Sequence, residues 1–168
     1  METPNVFYVD KSHFIPKLEA YGPALILLAP RRFGKSIFLD MLANYYDKNI
    51  DDTQFQKLFG NLHIGKHPTE LRGKVHVLKL DFSEGLDTAS VAAFQQSLHV
   101  LINDAVQVFR DLNPDFPAIK SSDNGIVTFR RVLAKARTER LSVRGLSSLH
   151  NLVQAQANLF FFSFFFTS

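Results

Sequence analysis

The chain has 168 residues, the length of one ordinary domain, and 46% hydrophobic against 21% charged residues is the balance of a globular protein that buries a core. It has no cysteine, which excludes a disulfide framework and thiolate-ligated metal sites. A net charge of +3 suits an anionic ligand without supporting nucleic acid as a partner, and with no leader-like N-terminus and no run of about 18 apolar residues the chain is expected in the cytoplasm, with no membrane span.

Tyr8 to Leu18 reads as a short extended piece followed by a helical turn, with Asp10 or Ser12 placed to cap it. Gly22-Pro23 breaks the chain, and the apolar run Ala24 to Ala29 has the character of a strand buried on both faces. From Lys35 to Tyr46, Ile37, Phe38, Met41, Leu42 and Tyr45 recur at helical spacing and predict an amphipathic helix. Asn49 to Glu70 is a connector with short helical pieces, one started by Asp51 or Asp52 and carrying Phe55, Leu58 and Phe59. Within it, Gly65 and Pro68 argue against a helix that would align His63 and His67 for a metal, so a solvated loop is expected.

Val75 to Phe82 is a second buried strand. Asp87 or Thr88 then caps a long helix with Val91, Phe94, Leu98, Leu101, Ile102, Ala105, Val108, Phe109 and Leu112 as its apolar positions, stopped by Pro114 and Pro117. A last helix is expected from about Thr128 to Arg140, burying Phe129, Val132, Leu133 and Ala136. The basic run Arg130 to Arg144 lacks interleaved aromatics and reads as a solvated helix face. Phe160 to Phe166, six phenylalanines in seven residues, is too short to span a bilayer; it is expected to be a tail outside the domain, with a buried strand as the alternative. Strands alternating with helices predict an α/β fold with a mainly parallel sheet.

The chemistry lies between the first strand and the helix after it. Ala29-Pro30-Arg31-Arg32-Phe33-Gly34-Lys35-Ser36 matches the last three positions of the phosphate-loop pattern G-x-x-x-x-G-K-[ST], with alanine in place of the first glycine. Gly34 lets the backbone approach a phosphate with no Cβ in the way. The N–H groups from Arg32 to Ile37 and the helix N-terminus favour an anion, Lys35 supplies charge to the β- and γ-phosphates, and the Ser36 hydroxyl can ligate Mg²⁺. ATP with Mg²⁺ is therefore the expected cofactor pair. Asp81 ends the second strand and is the candidate second carboxylate for Mg²⁺, but no acid follows it, and a cap of the strand or of a turn with Ser83 is the favoured reading.

Three blocks, FYVDKSHFIPKL, APRRFGKSIFLDMLANYYD and FQKLFGNLHIGKHPTELRGKVHVLKLDFS, resemble the AAA-ATPase-like family of P-loop proteins, whose domain often precedes a nuclease-like domain of the PD-(D/E)xK type. The resemblance implies a P-loop NTPase-type fold, with Gly34, Lys35 and Ser36 as nucleotide and Mg²⁺ residues and Tyr8 to Lys11 near the adenine. It also implies that Asp81 is not the Mg²⁺-supporting acid, because that acid belongs to a later strand ending in Asp-Glu. Here Arg140 to Leu146 stands where that strand is expected, with no such acids. The chain thus departs from the pattern near residues 139–145, as a truncated product would. Residues 1–145 are expected to form the N-terminal part of the domain, incomplete at its C-terminus, and 146–168 an atypical tail. Nucleotide binding is the expected function, with ATPase turnover, and a nuclease-like domain or partner, belonging to a longer product. A non-hydrolysing fragment and a P-loop kinase for a small substrate are the alternatives.

Overall fold

The computed structural model describes residues 8–21, 24–27, 32–81, 86–118, 124–139, 142–149 and 160–167. A 3-10 turn (Ser12–Phe14) leads into α1 (Ile15–Ala20), β1 (Ala24–Leu27), α2 (Lys35–Tyr46), α3 (Asp52–Phe59), α4 (His63–Lys66), β2 (Val75–Asp81), α5 (Val91–Leu112), α6 (Gly125–Thr138), β3 (Ser142–Leu149) and β4 (Phe160–Thr167). Helix and strand are mixed along the chain, as expected of an α/β protein.

The sheet order is β1-β3-β4-β2. β1 and β3 run parallel, whereas β4 is antiparallel to both β3 and β2. The sheet is therefore not mainly parallel. A parallel return needs a crossover of a dozen or more residues, and only residues 150–159 separate β3 from β4. The phenylalanine run, expected as a tail, is β4 itself, with backbone pairing along both edges; aromatic residues favour such a strand. The expected division after residue 145 falls inside β3.

β2 divides the core in two. Val75 on one face joins Ile15, Phe38, Leu39, Met41, Leu42, Tyr45, Phe55, Phe59 and Ile64, with Val77 packed against them. Leu78 on the other face packs with Ile102, Val106, Phe109, Phe116, Val132 and Ala136. The strand is buried only in part, since Lys79 and Asp81 are exposed. Phe82 and Ser83 lie outside the described residues.

Local signals set most of the helix boundaries. Asp51 caps α3 by accepting from the Gln54 N–H at 2.7 Å. α5 starts at Ser90, not at Asp87 or Thr88: the Ser90 hydroxyl accepts from the Ala93 N–H, while the Asp87 carboxylate takes the Ala89 N–H in a turn of its own. The buried stripe of α5 is Ile102, Val106 and Phe109, and Val91, Val108 and Leu112 are exposed. α6 begins a turn before Thr128, at Gly125, because Asn124 supplies the cap to the Ile126 N–H. Gly65 does not prevent a helical turn: α4 forms and brings the His63 and His67 rings to 5.2 Å.

Gly125 is where α6 meets α5. A Cβ there would stand 2.7 Å from the His99 carbonyl oxygen and 3.0 Å from its Cα, both backbone atoms that cannot turn aside. Gly125→Ala is expected to cost about 1–3 kcal/mol through this overpacking, read as a lower urea midpoint with an unchanged slope.

Candidate functional site

The segment between β1 and α2 turns through two left-handed residues, Arg32 with φ 64° and Gly34 with φ 73°. Gly34 takes that conformation without cost, whereas arginine there costs about 1–2 kcal/mol. Gly34 is the N-cap of α2 and offers no side chain, and the first bond inside the helix runs from the Phe38 N–H to the Gly34 carbonyl at 2.9 Å. Among the described residues, α3, α5 and α6 begin under a side-chain cap, and α2, like the short α1 and α4, does not. The positive end of the helix dipole lies at this turn.

The expected site residues are brought together here. Lys35 is buried, at 7% exposure, while Ser36 in the same first turn is exposed. Phe33 and Ile37 present their apolar side chains to solvent, 61% and 62% exposed. Ile37 is thus no part of the core face of α2, which consists of Phe38, Leu39, Met41, Leu42, Tyr45 and Tyr46. Ala29, Pro30 and Arg31 lie outside the described residues.

The N-terminal segment closes the site from the side. Tyr8, Val9 and Lys11 line an open hollow of about 410 Å³ together with Arg32, Phe33, Gly34, Ile37 and Phe38. That volume falls within the range of small-molecule pockets. A second hollow of about 270 Å³ shares Tyr8 and Ile37 and continues over Met41, Asn44, Leu58, Phe59 and Leu62. The Tyr8 hydroxyl donates to the Met41 Sδ at 3.3 Å, and burial, reinforced by the Asp10 carboxylate, raises its pKa and keeps it neutral.

Contacts between residues distant in the chain hold this segment in place, and no local signal marks them. One Asp10 oxygen accepts from the Ser12 N–H and the other from the His63 N–H, both at 2.8 Å. The buried Ser12 hydroxyl accepts from the Ile64 N–H at 3.1 Å. Between them the Lys11 ammonium reaches the other way and donates to the Phe33 carbonyl at 3.0 Å.

Asp81 falls at the same end of the molecule. α2 runs opposite to β2, with Asp47 bridged to Val75 and Asp40 paired to Lys79 at 2.5 Å. Ser36 lies one helical turn before Asp40, roughly 6 Å, and Asp81 two strand residues beyond Lys79, roughly 6.6 Å, so the two share a level along the sheet. β3, which pairs parallel with β1, contains no acidic residue. No group of three or more histidine, aspartate or glutamate side chains poised for a metal occurs among the described residues, which include His63 and His67. No helix among the described residues is long and apolar enough to cross a membrane.

The sequence that builds this site has counterparts among known proteins. The family described as Predicted AAA-ATPase matches residues 1–143. The chain belongs to this AAA-ATPase-like family. The match runs through the loop, α2, β2 and α6, and ends just inside β3. The chain is also similar to an uncharacterized protein in the vnfD 5'region of Azotobacter chroococcum mcd 1, 46% identical over 92 residues, which cover 51% of this chain and 15% of that protein. It thus spans a small part of the curated relative it matches. No solved structure matches it.

Asp10 ties the site's side wall to α4, so its titration is linked to folding. Burial works to raise its pKa, but the bonds from Ser12 and His63 and the nearby His13 outweigh burial and hold it below the usual carboxylate value. With the folded pKa depressed, the contribution is complete above the unfolded value, about 3.9, and is lost as pH falls through the folded one. Asp10→Asn is expected to be less stable than wild type at pH 7, with the gap closing toward pH 3 in urea titrations.

Proposed function

We propose that this chain binds Mg-ATP, with the phosphates on the loop from Arg32 to Ile37 and the adenine in the hollow beside Tyr8. The observation that carries the reading is the entry to α2 through left-handed Arg32 and Gly34, with Lys35 and Ser36 in the first turn of the helix. A strained arginine at such a turn is the kind of cost that a binding loop retains. Lys35 would supply charge to the β- and γ-phosphates.

The residues present fit a magnesium ion that arrives with its nucleotide. Mg²⁺ prefers oxygen ligands, keeps several waters and needs only one or two protein groups beside the phosphates. The exposed Ser36 hydroxyl would hold it, and the ion would neutralise phosphate charge. The adenine reading draws on Tyr8, Val9, Phe33 and Ile37, which give the hollow an apolar wall beside the loop. Membership of the family supports nucleotide binding in general. A P-loop NTPase-type sheet would extend β1 and β3, its parallel pair. Attachment to a nuclease-like domain belongs, on this reading, to a longer protein.

A second reading, binding without hydrolysis, is favoured by β3. The strand beside β1 is where the family pattern expects an Asp-Glu pair, and its residues are Ser142-Val143-Arg144-Gly145-Leu146-Ser147-Ser148-Leu149. On this reading the chain holds ATP with little or no phosphate release.

Calorimetric titration of the whole chain with Mg-ATP tests the main reading. Lys35→Ala removes a charge-assisted contact of about 1.5–3 kcal/mol, so affinity is expected to fall tenfold or more. Equal binding by wild type and Lys35→Ala would remove the basis for a phosphate loop. Tyr8→Ala is expected to weaken adenosine and ATP by similar factors, in the same titration, since it acts on the base and not on the phosphates.

A further inference from the structure

We propose that Lys11 is a second cation of the nucleotide site, a phosphate-contacting residue delivered from outside the loop. The inference rests on the reading of residues 32–37 as a phosphate loop and adds to it a residue 22 positions away from its loop contact.

The placement of Lys11 is specific. Its ammonium stands 3.0 Å from the Phe33 carbonyl and 3.9 Å from the point where a Cβ on Gly34 would be. It therefore lies against the two residues whose backbone a phosphate must approach, and it lines the hollow beside them. The main chain beneath it is fixed on both sides, by Asp10 bonded to the His63 N–H and by the buried Ser12 bonded to the Ile64 N–H. A long flexible side chain is thus anchored at its base and aimed at the loop, which reduces the entropy lost on capturing a ligand.

The chemistry follows from the donor count. An ammonium has three N–H groups, and the Phe33 carbonyl takes one of them. A phosphate oxygen bears negative charge and attracts such a cationic donor more strongly than a neutral carbonyl does. When phosphates enter beside Gly34, Lys11 turns toward them or shares itself between phosphate and carbonyl. Lys35 then neutralises the anion from within the helix and Lys11 from the side wall.

The test is calorimetry on the whole chain as wild type, Lys11→Gln, Lys11→Arg and Lys35→Ala, with Mg-ATP, Mg-ADP and adenosine, each protein first checked for an unchanged melting temperature. Lys11→Gln keeps a hydrogen-bond donor for Phe33 and removes the charge. It is expected to weaken Mg-ATP about tenfold, Mg-ADP less and adenosine not at all, with the loss shrinking at high salt, and Lys11→Arg is expected to restore most of it. If Lys35→Ala loses Mg-ATP while Lys11→Gln binds as wild type, Lys11 has only a structural part and the proposal is overturned with the phosphate loop intact. If Lys11→Gln weakens adenosine as much as ATP, the residue acts on the shape of the hollow and the proposal is likewise overturned. If wild type and Lys35→Ala bind alike, the loop reading itself fails and takes this one with it.

Discussion

Between β1 and α2 the chain must reverse direction, and it does so through left-handed backbone at Arg32 and again at Gly34. Phe33 sits between these turns with its carbonyl directed outward, and the Lys11 ammonium meets it. That exposed contact fixes the Phe33 carbonyl between the two left-handed residues and works against part of the strain beside it. Lys11 in turn stands where it does because Asp10 and Ser12 are bonded to the first N–H groups of α4. The loop's shape is thus fixed by a line of contacts from α4 through three consecutive residues to the turn.

The sheet supplies the frame for this arrangement. β2 holds one hydrophobic cluster on each face, and α2 lies on the side of Val75 and Val77, pinned by the Asp47 bridge and the Lys79–Asp40 pair. Because α2 runs opposite to β2, its N-terminus comes out at the carboxyl end of that strand. In open α/β sheets ligands gather at the carboxyl ends of strands, and the helix dipole adds to the attraction for an anion there. The rest of α2 is buried through Tyr45 and its neighbours, with the Tyr45 hydroxyl accepting from the Thr69 N–H at 2.7 Å and Thr69 bonded on to Glu19. The first turn can remain open to a ligand because the later turns carry the packing.

What could be read in the sequence was what depends on near neighbours. The limits of α2, the Asp51 cap, the strand from Val75 and the gathering of Gly34, Lys35 and Ser36 at a helix start are all set within a few residues. The cap of α5 was misplaced because Asp87 and Ser90 are equally good capping residues, and only the turn that Asp87 makes for itself decides between them. The apolar arc of α5 is wider than the stripe that is buried, and it is the packing of β2 and α6 against the helix that selects Ile102, Val106 and Phe109. The phenylalanine run had no expected partner in sequence, and as β4 it acquires one on each side. The bonds of Asp10, Lys11 and Ser12 cross 22 to 53 residues, and no spacing rule reaches that far.

Binding and turnover place different demands on this fold. The proposed phosphate cradle would use Gly34, Lys35, Ser36 and the side wall around Lys11, and every one of these is positioned by α2, α4 or the N-terminal segment. Turnover also needs a carboxylate that supports the Mg²⁺. β3, the strand beside β1, has none, and Asp81, though level with Ser36, ends the strand at the opposite edge of the sheet. Three strand spacings separate β2 from β1, about 14 Å. The parts that would hold ATP are therefore built independently of any part that would cleave it.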